Sequence, residues 1–223
     1  MEPVCLELED VCKTYYQGET PVHALCHVSL SIEPGAFLSI TGQSGSGKST
    51  LMNILGCLDV PTSGIYRIGG RETGNMDTKE LAAFRSRTIG FVFQSFCLIP
   101  SLDAIENVEL PLRYQGLPRK ERHRMAEEAL CRVGLSQRLH HRPGQMSGGQ
   151  QQRAAVARAI AAGPSVILAD EPTGNLDRAS GEGVMDILTE LNEEGKTVIL
   201  ITHDDKIAKT ARKQVRIRDG IVN

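Results

Sequence analysis

No apolar run in these 223 residues approaches the roughly 18 that a membrane-crossing helix needs. No basic-then-apolar segment opens the chain either. The expectation is a cytosolic chain, or one held at a membrane by another protein. The six cysteines, Cys5, Cys12, Cys26, Cys57, Cys97 and Cys131, are scattered and form no C-x-x-C pair. They read as small apolar residues in a reducing compartment, which excludes a disulfide framework and a zinc site. Positive charge is not in excess: the formal net charge is -2 and the pI is near 6.3. That excludes a broad basic face for nucleic acid, whose phosphates need neutralising. With 40% hydrophobic and 23% charged residues, the chain suffices for one large core or two small ones. One compact unit with a subdomain is expected.

Glycine, by contrast, is abundant and clustered. Gly42-Gln43-Ser44-Gly45-Ser46-Gly47-Lys48-Ser49 follows the apolar run Ala36–Ile40 and leads into Thr50–Leu55. That order is strand, glycine-rich turn, helix, and the spacing satisfies G-x-x-x-x-G-K-[ST] in full. The glycines let successive N–H groups and the helix N-terminus converge on one anion. Lys48 adds charge at the β- and γ-phosphates, and Ser49 offers a hydroxyl to Mg²⁺. A merely flexible glycine loop does not account for this spacing in this context.

Upstream, Val4 to Val11 and Val28–Ile32 alternate in polarity as half-buried strands do, so an antiparallel sheet opens the fold. Tyr15-Tyr16 lies between them. In a chain with 4% aromatics a tyrosine there invites comparison with base-stacking residues, although taken alone it fits a core or a turn better. Downstream, Gly56 reads as a helix cap, Ile65–Ile68 as a short strand, Thr78 to Arg87 as a helix, and Ile89–Phe93 as a strand ending at Gln94. From Asp103 to Leu135 the pattern is helical and charged, with Pro111 and Pro118 as breaks. This is the expected subdomain.

Ser147-Gly148-Gly149-Gln150 then opens a second glycine-rich helix, with Ser147 as N-cap and Gly163-Pro164 as its stop. It is built to face an anion but lacks a lysine, and an ordinary capped helix explains it equally well in isolation. Ser165–Ala169 and Thr197–Ile201 are continuous apolar runs, as strands covered on both faces should be. They end in Asp170-Glu171 and in Thr202-His203-Asp204. Ligands of open α/β sheets sit beyond the carboxyl ends of the strands, and three apolar runs here deliver Gly42, Asp170 and His203 to such ends. Asp170 as a helix cap and His203 as a loop residue each stand as alternatives, but their convergence argues for one site. The remaining histidines, His23, His27, His123, His140 and His141, read as solvated surface.

Taken in order, Gly42–Ser49, Gln94, Ser147–Gln150, Asp170-Glu171, Asp177 and His203 make the chain resemble, from end to end, the ATP-binding cassette of ABC transporters. Leu55–Asp59, Met146–Arg153 and Ala169–Asp177 are similar to the ATPases of macrolide exporters and lipoprotein-release systems. The resemblance implies an α/β P-loop NTPase, RecA-like core with an N-terminal antiparallel β subdomain and an inserted α-helical subdomain. It divides the chain into a core at 1–93 and 158–223 and a helical subdomain at about 94–157. It also implies roles. Tyr15 stacks on adenine, with Tyr16 as the alternative register, and Gly42, Gln43, Ser44, Gly45, Ser46, Gly47, Lys48, Ser49 and Thr50 hold the phosphates. Ser49, Gln94 and Asp170 attend Mg²⁺. Glu171 is the general base, His203 contacts the γ-phosphate, and Gln94 and Lys48 complete the catalytic set. Ser147, Gly148, Gly149 and Gln150 bind the nucleotide of a second copy, and Asp177 lies at the dimer seam. Met146 stands where the family usually has leucine, a volume-conserving swap.

The implied cofactors are ATP and Mg²⁺. The implied partners are a second copy and an integral membrane permease subunit, which would hold the chain at the cytoplasmic face of the membrane. A chromosome-type ATPase would part the two glycine motifs with heptads, and none runs through 51 to 146. A translation-type ATPase would carry two phosphate loops, and a non-hydrolysing regulatory module would be expected to lack Glu171 or His203. The apolar stretch Ser95–Leu102 has no helical or strand period, and its residues alone fit burial beneath the helical subdomain better than an exposed groove; the resemblance implies instead a groove, with Phe96 or Leu98 as anchor, for a short cytoplasmic helix of the permease.

Overall fold

The computed structural model describes residues 5–222. Val4, which begins the first expected strand, lies outside the described residues. The chain starts with two long antiparallel strands, β1 (Leu6–Gln17) and β2 (Thr20–Ile32). Val28, Leu30 and Ile32 are buried and Ser29 and Ser31 exposed, as their alternation requires. β1 runs six residues past Val11 and carries Tyr15 and Tyr16, which pair with Val22 and Pro21 rather than lying between strands. Register shifts between Leu8 and Thr14 explain the discrepancy. Each bulge moves the buried set to the other face, so the period-two pattern fades where the strand continues.

β3 (Phe37–Thr41) leads through the glycine loop into α1 (Lys48–Leu55). β4 (Ser63–Ile68) and β5 (Arg71–Glu72) complete a four-stranded sheet of order β2-β1-β4-β5. Next come α2 (Thr78–Thr88) and β6 (Ile89–Val92), then the helices α3 (Ala104–Tyr114), α4 (Arg119–Arg132) and α5 (Gly148–Ile160). The chain closes with β7 (Val166–Asp170), α6 (Arg178–Glu193), β8 (Thr197–Ile201), α7 (Asp205–Ala208), β9 (Lys213–Arg218) and β10 (Ile221–Val222). A second sheet has the order β10-β9-β3-β8-β7-β6, parallel except for β10.

This parallel sheet is buried on both faces, which is why β7 and β8 read as unbroken apolar runs. Leu38, Ile40, Leu168 and Ile199 join Leu6, Leu25 and Ile54 in one core. Ile167, Ala169, Val198 and Leu200 face the other way and join Val108, Leu130, Val156 and Leu188.

Two expectations are corrected here. Pro111 does not break its helix: it lies inside α3, in the last turn, where its missing N–H forfeits a single backbone bond. Pro118 does mark a boundary, as the N-cap of α4. α5 passes without interruption through 157/158, so a division of the chain there cuts a helix. β9 and β10 were not among the expected strands, although Val215 and Ile217 alternate with exposed residues along β9 as in a half-buried strand.

Candidate functional site

Four neighbouring parallel strands, in the order β3-β8-β7-β6, send their carboxyl ends the same way, with Ile40 level with Ile201, Asp170 with Ile201, and Val92 with Ala169. The segments leaving these strands therefore emerge along one edge of the sheet. They are Gly42–Ser49, Thr202-His203, Asp170-Glu171 and, two residues past β6, Gln94.

In the loop, glycine is required by space. A Cβ on Gly42 would lie 2.4 Å from the carbonyl oxygen of Ile217, and one on Gly47, at φ +105°, would lie 2.5 Å from that of Ala24. Gly47 caps α1 with no side-chain bond, and the first turn of α1 holds no acid. The leading N–H groups of α1 are therefore left for an anion. Lys48 folds back over the loop, its Nζ donating to the carbonyls of Gly42 and Gln43 at 2.7 Å each. Ser46 Oγ is buried with no partner among the described residues.

Glu171 stands at φ +44°, a conformation that a non-glycine residue keeps only when its surroundings enforce it. They do so here. Its carboxylate accepts from the His203 backbone N–H at 2.9 Å and from Thr202 Oγ1 at 3.2 Å, and Oε1 lies 2.6 Å from His203 Nδ1. The hydrogen bond and charge of Glu171 push the His203 imidazole above its ordinary range. Burial, and then the charge of Glu171, push the Asp170 carboxyl up, while Lys48 draws it partly back. Lys48, Asp170, Glu171 and His203 thus act on one another. Thr202, buried at the end of β8, is a member of this cluster that sequence reasoning overlooked.

Tyr15 lies on the α1 side of the antiparallel sheet. Its hydroxyl donates to Asp59 Oδ2 at 2.8 Å and also meets Thr50 in the first turn of α1. Lys13 Nζ sits 5.0 Å from the ring centroid and donates to Asp59 Oδ1 at 2.6 Å. Burial and the bond to Asp59 push the Tyr15 hydroxyl up. Tyr16, on the opposite face as strand alternation demands, is 71% exposed. Lys13 was not singled out from sequence, because a strand lysine carries no motif, and Asp59 entered only as the end of Leu55–Asp59, with no role given to it.

Ser147–Gln150 lies apart from this cluster, and no hydrogen bond among the described residues joins it to Gly42–Thr50. Ser147 Oγ accepts the Gln150 N–H at 3.3 Å, and Gln150 Oε1 accepts the Ser147 N–H at 3.0 Å, a reciprocal capping box. A Cβ on Gly149 would lie 2.5 Å from Ser180 Oγ. Asp177 caps α6, accepting the Ser180 N–H at 3.0 Å and its hydroxyl at 2.7 Å, bonds that hold its carboxyl below the usual range. Gln94 borders the connection between β7 and α6: its carbonyl accepts from Asn175 Nδ2 at 3.0 Å.

A cavity of about 880 Å³ is lined by residues that include Lys79, Phe91, Phe93, Cys97, Pro111 and Tyr114. Of Ser95–Leu102, only Cys97 reaches it. Arg158 donates to the carbonyls of Phe96 and Cys97, both at positive φ. That turn sets Leu98, partly buried, against the core and leaves Phe96 half-buried, near Gly148.

Among the described residues, no helix is long and apolar enough to cross a membrane, and no three His, Cys, Asp or Glu side chains gather as a metal cage.

A family model described as ABC transporter matches residues 25–174. The macrolide export ATP-binding/permease protein MacB of Hyphomonas neptunium is 54% identical over 220 residues, which are 99% of this chain and 34% of that protein. The protein of the same name from Rhodopseudomonas palustris is 54% identical over 217 residues, 97% of this chain and 33% of its own. The chain thus spans about a third of the length of these curated relatives. Among solved structures, the ATP-binding cassette MJ0796, described as a dimer in a post-hydrolysis state bound to ADP and Pi, superposes with a TM-score of 0.90 at 48% identity, covering 98% of this chain and 96% of that one. The cbiO1 protein of Clostridium perfringens, part of the cbiONQ ABC transporter complex, gives 0.88 at 29% identity over 100% and 88%.

Proposed function

This chain belongs to the ABC transporter family as an ATP-binding cassette, and from that premise we propose that it binds Mg·ATP, pairs head to tail with a second copy and hydrolyses ATP to drive a membrane permease. The observation that carries the reading is the meeting of Lys48, Asp170, Glu171 and His203 at one edge of the parallel sheet, beside an uncapped helix N-terminus.

The donor set fits Mg²⁺. A serine hydroxyl and a carboxylate are hard oxygen ligands, and Asp170, partly buried beside the Glu171 carboxylate, is a carboxylate that a cation would offset. With no protein cage, ligation would rest on Ser49, Asp170 and Gln94 together with phosphate oxygens and water, as is usual for this ion. When bound, the ion would neutralise charge developing on the phosphates. The chain's own residues do the rest. Backbone N–H groups of Gly42–Thr50 cradle the phosphates, and Lys48 leaves its loop carbonyls for the β- and γ-oxygens. Tyr15 supports the adenine. Gln94 orients the attacking water, Glu171 accepts its proton, and His203 turns from Glu171 to the γ-phosphate. In the paired form, Ser147–Gln150 contacts the partner's nucleotide and Asp177 lies at the seam.

The test is Glu171→Gln. ATP binding should persist while turnover falls by roughly 10²–10⁴, the usual worth of a positioned base, and chelation of divalent cations should stop hydrolysis by the wild-type chain. An unchanged turnover overturns the assignment.

The relatives' names join cassette and permease in one protein. Accordingly, the partner is an integral membrane permease of the export or lipoprotein-release type. It holds the cassette at the cytoplasmic face and seats a short helix in the groove beside Phe91, Phe93 and Tyr114.

A further inference from the structure

Gln152, in the first half of α5, has no exposure at all. Its Nε2 donates to the carbonyl oxygen of Pro172 at 2.7 Å, and its Oε1 is buried with no partner among the described residues. Methionine or leucine would fill the same space without an orphaned acceptor, so the donor end is what the amide contributes. Pro172 immediately follows Glu171. The proline ring fixes its own φ near −65°, and the Gly174 N–H closes a turn onto the Glu171 carbonyl at 3.0 Å. The direction of the Glu171 carboxylate therefore depends on where the Pro172 carbonyl is anchored, and Gln152 anchors it. Two residues before Gln152, α5 begins with Ser147–Gln150, and Gly149 packs closely on Ser180. The first turns of one rigid helix thus join the Ser147–Gln150 segment to the peptide just after Glu171.

We propose that Gln152 is a positioning residue that aims the Glu171 carboxylate, so that a shift of α5 against a partner's nucleotide is felt at this chain's own water. The inference rests on the roles given above to Glu171 and Ser147–Gln150. It makes the neutral, buried amide the mechanical link between two half-sites that belong to different nucleotides.

The experiment is steady-state ATP hydrolysis by the full chain carrying Gln152→Met, which keeps length and volume but removes the donor, alongside Gln152→Ala, which relieves any crowding that the thioether introduces. For each, thermal melting is recorded, and ATP-driven dimerisation is followed by sedimentation in a Glu171→Gln background. The expected result is a fall in kcat of about 10- to 100-fold, the effect of a misplaced reacting group, with KM for ATP within about twofold and dimerisation intact. A kcat per folded molecule equal to wild type in either folded variant overturns the proposal, whatever the melting temperature. Loss of dimerisation together with kcat also overturns it, because Gln152 would then serve the association face. If the wild-type chain fails to hydrolyse ATP, or Glu171→Gln hydrolyses it normally, the parent reading fails instead. An active wild type, an inactive Glu171→Gln and a fully active Gln152→Met sink only this inference.

Discussion

Two helices of this molecule begin with glycine-rich turns, and they begin in opposite ways. α1 starts at Gly47, a left-handed residue with no side chain to offer, so its first N–H groups are open. α5 starts at Ser147, and its capping box with Gln150 closes the terminus on itself. Similar composition therefore hides a difference in readiness. The first turn is incomplete without an anion and has Lys48 beside it. The second has its Ser147 and Gln150 N–H groups paired within the chain, which suits a surface that must stay stable until a second molecule brings a nucleotide to it.

The comparison is most exposed to a pair of substitutions. Lys48→Ala should weaken ATP binding by about 100-fold or more, whereas Ser147→Arg should leave the affinity of a single chain within about twofold and abolish ATP-driven dimerisation in a Glu171→Gln background. Titration calorimetry and sedimentation read the two effects. If Ser147→Arg weakens binding by the lone chain, the two termini are not distinct. Next in size, Gly47→Ala should destabilise the fold by roughly 2–4 kcal/mol, since its Cβ would meet the Ala24 carbonyl at 2.5 Å. Ser147→Ala should cost only about 1 kcal/mol, the worth of a lost cap. Melting in denaturant would sharpen the contrast, and equal losses would erase it.

Much of this contrast was legible in the sequence. The spacing Gly42 to Ser49 announced the open turn, and Ser147 followed by Gln150 announced a cap. The unbroken apolar runs at Val166–Ala169 and Thr197–Ile201 announced a buried parallel sheet, because residues covered on both faces leave no polar alternation. What could not be read depended on partners distant in the chain. Thr202 matters through Glu171, thirty-one positions away, and Gln152 through Pro172, twenty positions away. A loop's apolar side chains do not declare which way Arg158 will turn them, so the placement of Phe96 and Leu98 was not legible. Which face of the sheet Tyr15 and Tyr16 each take could be read only once the bulges of β1 were known.

Smaller effects concern the charges at the sheet edge. Burial and the neighbouring Glu171 raise the folded pKa of Asp170 above its ordinary value. That contribution is favourable at acid pH and lost as pH rises through the folded value, above which the ionised carboxyl opposes folding. Asp170→Asn should therefore raise the melting temperature of the nucleotide-free chain while removing its response to Mg²⁺; a lower melting temperature would contradict this. The His203 pKa is raised above 6.5 by Glu171. The pair's contribution is present in full below that value and fades as pH rises through the folded pKa. Differential scanning fluorimetry should find a larger gap between wild type and His203→Ala at about pH 6 than at about pH 9, with a small amplitude because the imidazole is largely exposed. A gap that widens with pH would break the assignment.

The parallel sheet is a wall shared by two rooms. Leu168 and Ile199 look into one core while Ile167 and Val198 look into the other, so neither core has four walls unless β7 and β8 are in place. Loss of the sheet empties both at once, and one cannot melt while the other stands. Heat should thus dissolve the chain in a single cooperative step, and the amides of Val166–Asp170 and Thr197–Ile201 should exchange with deuterated solvent only when the whole chain opens.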